Sequence, residues 1–383
     1  MKKITTPGGY LERNCLICLE NHFKVLNVYQ QEVLVRNGLF KFEITEGICR
    51  ECGFIYTNPC PSQDFMNLYY KSKHLYRLKT PDYDLGKRIK FLKRVKGKRN
   101  TLLEVGSSEG NFLKAVQKLG LNVFGMEPNE NVNSISSKEE IKEKELIFDI
   151  IVANHVLEHI VDPLEFLKML HSFLKEKGII IVEVPNLHLY GMLCTGISYE
   201  HLVHFSPAHL GFLVQKAGFE IIEFEFGETS RLEGFIILAE KKKNLIPAKL
   251  TKEYEINQSY YLRAVKHIKK RNERYNNFIK ELLPSTNSQL MVFWGANNIL
   301  LDLLNKIPEK FLGQVLIVDG NNKRWDSKLN EKYPLVISNP ESLKNNINIS
   351  SISICAIDWH EEIKESIIHM GFNEKKIKIP PFF

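Results

Sequence analysis

The sequence predicts an α/β protein in which two stretches of alternating strands and helices follow an N-terminal module held by cysteines. Three observations carry this expectation. Two C-x-x-C pairs stand within the first 52 residues. Residues from about 88 to 240 alternate apolar strands with amphipathic helices. A shorter alternation resumes after about residue 285. Alternation of this kind predicts largely parallel sheets.

The 383 residues leave room for two or three domains with real cores. Apolar residues make up 44% and charged residues 25%, which excludes a mostly disordered, collagen-like or disulfide-framework chain. No stretch approaches the roughly 18 uncharged apolar residues of a membrane helix. The lysines of MKKITTPGGYLERN have no apolar core behind them, so no signal peptide is read. A cytoplasmic protein without a membrane partner is expected. The net charge of +7 is local: Lys241 to Glu281 holds twelve Lys/Arg against four Asp/Glu, and the rest of the chain sums to −1. This is not a general nucleic-acid coat, and no nucleic-acid partner is expected. The basic segment reads as a solvated helical face or linker, or as a patch for phosphates.

Residues 1–75 form the cysteine module. Cys15-Leu-Ile-Cys18 and Cys49-Arg-Glu-Cys52-Gly53 supply four thiolates, enough to close a tetrahedral shell around zinc. A structural Zn2+ is expected at Cys15, Cys18, Cys49 and Cys52, with no open position for catalysis. Gly53 allows the second knuckle to turn tightly. Seven cysteines, an odd number, argue against a disulfide framework. Cys60, Cys194 and Cys355 read as core or surface thiols. Tyr69, Tyr70 and Tyr76 read equally as a lid or as a structural aromatic cluster.

In residues 76–240, TLLEV, NVFGME, FDIIVANH and GIIIIVEVP read as strands. NFLKAVQKLG, PLEFLKMLHSFLKEKG and SPAHLGFLVQKAGF read as helices, with Gly120, Gly178 and Gly218 placed to close them in the left-handed conformation. The first strand runs into Gly106, and a helix starts near Gly110. The spacing G-x-x-x-G is not the pyrophosphate fingerprint. Glu104 lies beside this turn. Glu127 follows Gly106 by 21 residues, at the end of the second strand, where an acid can hold a ribose diol. A ligand with a ribose and a cationic amino-acid tail, but no phosphate, suits such a site. S-adenosylmethionine is one.

The segment from Ile197 to Ser206 follows another strand end. His201, His204 and Glu200 within five positions make a candidate acid/base group, with Glu200 orienting an imidazole. The alternative is that both histidines cap a loop. His209 belongs to the next helix, with Ser206 as N-cap and Pro207 at its first position.

E-V-G-S-S-E-G, G-M-E-P and D-I-I-V-A-N-H-V-L-E-H-I resemble the class I S-adenosylmethionine-dependent methyltransferases, whose fold is Rossmann-like. With the cysteine pairs before them and W-G-A…V-D after them, the order resembles the nucleotide-sugar (deoxysugar) C-methyltransferases. The resemblance implies C-methylation of a nucleotide-linked keto-sugar through a base-assisted enolate. It sets Glu104, Gly106, Ser107 and Gly110 around the methionine part of the cofactor and Glu127 on the ribose. Asn154 and His155 fall in the cofactor or substrate wall, and His159 on the sugar-facing side. Y-x-E-H-x-x-x-F-S is matched by Glu200 and His201, which makes His201 the general base, while Ser198 stands where the family has tyrosine. Only 21 residues separate Pro128 from Asp149, short for the usual helix and third strand that cup the adenine. The alternatives are an O- or N-methyltransferase of a surface-polysaccharide or small-molecule pathway, and a catalytically decayed sugar-nucleotide-binding protein.

Residues 241–284 read as a basic helical linker, with Tyr260, Tyr261, Val265, Ile268, Tyr275 and Ile279 spaced for one or two apolar faces and Pro284 ending it. Residues 285–383 read as a C-terminal Rossmann-like domain. There Gly295 follows a strand and Asp319 lies 24 residues on. This second turn is either a nucleotide site or a packing device.

Overall fold

The computed structural model describes residues 9–35, 38–72, 85–107, 110–127, 138–190, 196–226, 234–243, 245–329, 333–346 and 348–381. Tyr76, Cys194 and the stretch 128–137 lie outside them. The chain divides into two compact units: residues 1–75 with 81–266, and residues 267–383 with 76–80.

The first unit begins with β1 (Tyr10–Leu11) and a long antiparallel hairpin of β2 (Phe23–Val35) and β3 (Gly38–Cys49). β4 (Ile55–Thr57) extends this sheet, and β5 (Cys60–Pro61) pairs with β1. Helices α1 (Gln63–Ser72) and α2 (Leu85–Val95) lead to the main sheet. In chain order that sheet takes β6 (Thr101–Val105), β7 (Asn122–Met126), β8 (Phe148–Asn154), β9 (Leu174–Pro185), β11 (Phe219–Phe226) and β12 (Gly234–Lys241). Across the sheet the order is β11-β12-β9-β8-β6-β7. β6 to β9 are mutually parallel, and β12 runs antiparallel to its neighbours.

Helices α3 (Asn111–Gln117), α5 (Pro163–Ser172) and α6 (Pro207–Lys216) connect the strands. Ser206 and Asp162 cap α6 and α5 from their side chains, each followed by proline at the first position. Gly120 and Gly218 take φ of 77° and 95°, as helix-closing glycines should. Gly178 does not. The helix it was read to close ends at Ser172, and Leu174 already begins β9. The lysines and glutamate of LKEKG extend the strand to the solvent edge, so charge spacing there mimics a helical turn. Between β7 and β8 the described residues hold only α4 (Lys138–Glu143), and among the described residues β7 is the edge strand of the sheet.

The short strand β10 (Val203–His204) ties this unit together. It belongs to the histidine-rich segment, yet it pairs with β4 of the cysteine module, Val203 opposite Tyr56 and His204 opposite Ile55. Arg13 adds a clamp. Its guanidinium donates to the carbonyls of Thr57 at 3.1 Å, Val161 at 2.6 Å and Leu202 at 3.0 Å. Its buried charge is thus spread over three acceptors.

Helix α7 (Tyr254–Leu282) fills most of the predicted basic segment and runs from the first unit into the second. Tyr261 and Ala264 are buried with Ile48, Ile55 and Tyr190. Tyr275, Ile279 and Leu282 are buried with Phe293 and Leu300. The second unit is a five-stranded parallel sheet. It is built from β13 (Leu290–Trp294), β14 (Val315–Val318), β15 (Ile337–Ser338), β16 (Ile349–Ile354) and β17 (Ile377–Lys378), in the order β15-β14-β13-β16-β17. α8 (Asn298–Leu304) and α9 (His360–His369) pack on it. No described helix is long and apolar enough to cross a membrane.

Candidate active site and cysteine cluster

The hairpin register sets Cys49 opposite Phe23, so both cysteine knuckles meet at one end of the sheet. One sulfur from each of Cys15, Cys18, Cys49 and Cys52 lies within 4.8 Å of the others. Cys15 and Cys52 approach to 3.5 Å, as do Cys18 and Cys49. Zinc–sulfur bonds of about 2.3 Å in a tetrahedron require sulfurs about 3.8 Å apart, so the four donors fit that ion. Backbone amides close each knuckle, Leu19 to the Cys15 carbonyl at 2.9 Å and Gly53 to the Cys49 carbonyl at 2.9 Å. Gly53 has φ 85°, and a Cβ there would meet the Glu253 backbone at 2.5 Å. His209 Nε2 donates to the Cys52 carbonyl at 3.1 Å, so α6 braces the same knuckle. Cys60 and Cys355 are buried.

A turn beginning at Gly106 follows β6, beside the C-terminal end of β8. Gly106 adopts φ 71°, and a Cβ would strike Val156 Cγ2 at 2.5 Å. The glycine therefore lets the β6 turn lie directly against the loop after β8. Gly110 caps α3 at φ 70° without any side-chain cap. Ser107 and Asn154 are positioned beside this turn, and Ser107 Oγ and Asn154 Nδ2 are buried without hydrogen-bond partners among the described residues. Unsatisfied buried donors of this kind call for a polar ligand. Glu104, the last residue but one of β6, is buried, and Glu127 directly follows β7. These residues fit a ligand carrying amino, carboxylate and ribose groups.

Beyond the turn lies a group of histidines and carboxylates. His155 follows β8 in a left-handed conformation, φ 52°, with its amide bonded to the Glu183 carbonyl at 2.8 Å. Its ring bridges two buried acids, Nδ1 to Glu158 at 3.3 Å and Nε2 to Glu183 at 3.4 Å. Arg88 from α2 donates to the other Glu183 oxygen at 2.8 Å. Glu158 Oε1 also stands 3.7 Å from His159 Nε2. The rings of His159 and His201 meet edge to face at 4.9 Å. His159 Nδ1 donates to the Glu200 carbonyl at 2.9 Å, and His201 Nδ1 to the Gly196 carbonyl at 2.7 Å.

These contacts set the charge states. Burial, then the neighbouring His159 and His204, push His201 down to about 4 against the pull of Glu158, so it is neutral at ordinary pH. Burial alone would also lower His155. Glu158 and Glu183 outweigh it and lift the imidazole to about 9, so it is a cation. Burial raises Glu158, but His159 and His155 overcome this and hold it at about 2. A neutral imidazole therefore lies beside a buried carboxylate whose charge His155 balances.

Residues 76–223 match the family described as Methyltransferase domain. Among curated proteins, the chain is 27% identical over 123 residues to a ubiquinone biosynthesis O-methyltransferase of Bradyrhizobium diazoefficiens, covering 28% of this chain and 48% of that one. It is 25% identical over 124 residues to a protein of the same name from Caulobacter vibrioides, covering 28% and 49%. The chain thus spans about half the length of these curated relatives. Among solved structures, a SAM-dependent methyltransferase from Archaeoglobus fulgidus is 21% identical, with 41% of this chain and 92% of that one covered at a TM-score of 0.35. By the family match, residues 76–223 are a methyltransferase domain.

Within this methyltransferase domain, the residues singled out from sequence fall in three places. Glu104, Gly106, Ser107, Gly110 and Glu127 surround the turn. Asn154, His155 and His159 line the loop after β8. Glu200 and His201 come from the segment after β9. Glu200 differs from expectation. Its carboxylate accepts the Tyr69 hydroxyl, which also meets Tyr199 at 3.1 Å. The carboxylate grouped with His159 and His201 is Glu158 instead. Tyr69 is fully buried against Phe42 and Tyr199, which answers the lid-or-cluster alternative for this residue as an aromatic cluster. His204 is also buried, donating to Glu46 at 2.9 Å and meeting Tyr190 at 3.1 Å, while Tyr261 donates to the second Glu46 oxygen. It anchors its loop from below.

Sequence reasoning passed over Glu158, Glu183, Arg88, Glu46 and Arg13. Glu158 had a usable signal, an acid beside a histidine just past a strand end. The others become neighbours only through the fold.

Proposed function

We propose that the chain is an S-adenosylmethionine-dependent methyltransferase that C-methylates a nucleotide-linked keto-sugar, with His201 as the base. The carrying observation is the contact between two features. The Gly106 turn lies against Val156, and the same loop continues into Glu158 and His159 beside the neutral His201. Bound S-adenosylmethionine supplies an electrophilic sulfonium methyl. Glu104, Ser107, Gly110 and Asn154 hold its methionine part, and Glu127 its ribose. His201 Nε2 takes the proton alpha to the acceptor's ketone. His159, whose ring meets that of His201 edge to face, lines the acceptor's side of the site. The methyl would pass to the enolate carbon with its bonding pair kept on sulfur, so the work of these residues is alignment and charge stabilisation. Glu158 keeps the imidazolium of His201 stable once formed.

The cysteine cluster holds a structural Zn2+ in this reading. Its role is to fix β4, and through β4 the β10 strand that follows His201 in the chain. The two relatives named as O-methyltransferases favour a second reading, in which His201 removes a hydroxyl proton. Calorimetric titration with S-adenosylmethionine and S-adenosylhomocysteine tests the donor. Micromolar binding supports the reading, and no binding to zinc-loaded folded protein up to millimolar overturns it. NMR of the methylated atom then separates carbon from oxygen. Glu200→Gln loosens the Tyr69 contact and is expected to alter turnover less than His201→Ala.

A further inference from the structure

We propose that Glu158, His159 and His201 form a second divalent-metal site, separate from the cysteine cluster, which takes an exchangeable ion such as Zn2+ or Co2+. One candidate ligand atom from each residue lies within 4.8 Å of the other two. Glu158 Oε1 and His159 Nε2 are 3.7 Å apart, within a few tenths of an ångström of the spacing that ligands about 2.1 Å from a tetrahedral ion require.

The tautomers prepare both rings for metal. His159 Nδ1 meets the Glu200 carbonyl at 2.9 Å, and His201 Nδ1 meets the Gly196 carbonyl at 2.7 Å. A carbonyl only accepts, so each Nδ1 carries a proton, and in the neutral ring the lone pair is then on Nε2. Metal-bound histidines show this same arrangement, with the second nitrogen donating to a carbonyl. Glu158 gives the independent observation. The residue is 1% exposed, yet neither carboxylate oxygen has a hydrogen-bond partner among the described residues. Its Oε1 lies 3.3 Å from His155 Nδ1, an ion-pair contact. A cation in front of Glu158 completes it, with His155 behind as the orienting partner.

Two imidazoles and one carboxylate suit borderline divalent ions and leave a position for water or an acceptor oxygen. Metal binding and proton abstraction by His201 need the same Nε2 lone pair. The ion is therefore an inhibitor of methyl transfer, a clause that rests on the base reading above. The binding itself does not rest on it.

The test is a Co2+ titration of the full-length protein already carrying zinc on its cysteines, followed by visible absorption. Weak d–d bands without thiolate charge transfer, saturating at one added ion per chain and removed by a chelator, are expected. Glu158→Gln, close in shape, and His201→Ala should each weaken this ion at least about tenfold while the cysteine-bound metal and S-adenosylhomocysteine binding stay. Folded wild-type protein that binds no further ion overturns the proposal, as does a second ion unchanged in both variants. Should a variant fail to fold, the wild-type titration alone still decides. Added Zn2+ should lower turnover in step with occupancy. Failure of cofactor binding strikes the methyltransferase reading and leaves the cobalt result standing.

Discussion

The turn after β6 and the turn after β13 share a backbone and differ in what fills them. Gly106 donates to the Met126 carbonyl at 2.8 Å, and Gly295 to the Val318 carbonyl at 2.9 Å. Both glycines have positive φ, 71° and 108°. Each second strand is followed at once by an acid, Glu127 and Asp319. From there they part. Asp319 Oδ2 accepts the Ala296 amide at 2.9 Å and Arg324 at 3.0 Å, while Oδ1 accepts the Asn321 amide at 2.8 Å. Asn297 caps α8 by accepting from Leu300. A Cβ on Gly295 would meet the Ala356 amide at 2.8 Å. The second turn is filled by its own chain. Among the described residues, the first leaves Gly110 without a side-chain cap and Ser107 and Asn154 with buried polar atoms that have no partner. Glycine spacing and a downstream acid describe a chassis, and the neighbouring side chains decide whether it is open to a ligand.

Several substitutions can break this contrast. Gly106→Val should weaken S-adenosylhomocysteine binding by more than about 100-fold in calorimetry, because the branched side chain invades Val156 and strains the left-handed backbone. Gly295→Val should leave that affinity unchanged and lower the melting temperature instead. Loss of binding in both would erase the distinction. Next in size, His201→Ala should lower turnover at least about tenfold with near-normal cofactor affinity. Equal turnover removes the base.

The paired acids sharpen the comparison further. Glu127→Ala should reduce cofactor affinity about tenfold, one missing charged hydrogen bond. Asp319→Ala should cost about 1–3 kcal/mol of stability, since the Ala296 amide and Arg324 lose their acceptor, and leave affinity alone. A denaturant midpoint that does not move would contradict the filled-turn account.

Acidity should divide the two units as well. His155 rises from an ordinary 6.5 to about 9, so its contribution is complete below 6.5 and disappears as pH rises through 9. His201 falls from 6.5 to about 4, so its contribution is complete above 6.5 and is lost as pH falls toward 4. No described histidine of the second unit is buried. Hydrogen exchange at pH 5, 6.5 and 9 should show protection peaking near the middle value in the first unit only. The smallest effect is Asn297→Ala, about 1 kcal/mol for a lost cap, with no counterpart at Gly110.

Much of the fold was legible because its signals are local. Alternating runs gave the strands, Pro207 behind Ser206 gave a helix start, and the C-x-x-C spacing brought two sulfurs to each knuckle. Gly178 misled because charge spacing looks alike at a helix end and a strand edge. Glu200 misled because adjacency in sequence says nothing about where a carboxylate points: the Tyr69 hydroxyl takes it, and Glu158 meets the histidines from another loop.

The sequence by itself determined the strand and helix pattern, the cysteine quartet, and the glycine turns with their following acids, because each depends on residues close along the chain. Only the tertiary structure decided that Arg13 and β10 join the cysteine module to the histidine loop, that His155 balances Glu158, and that Asp319 is spent on its own backbone. Those outcomes rest on burial and on distances between residues far apart in sequence, where desolvation makes each unpaired charge costly and the fold alone supplies the partner.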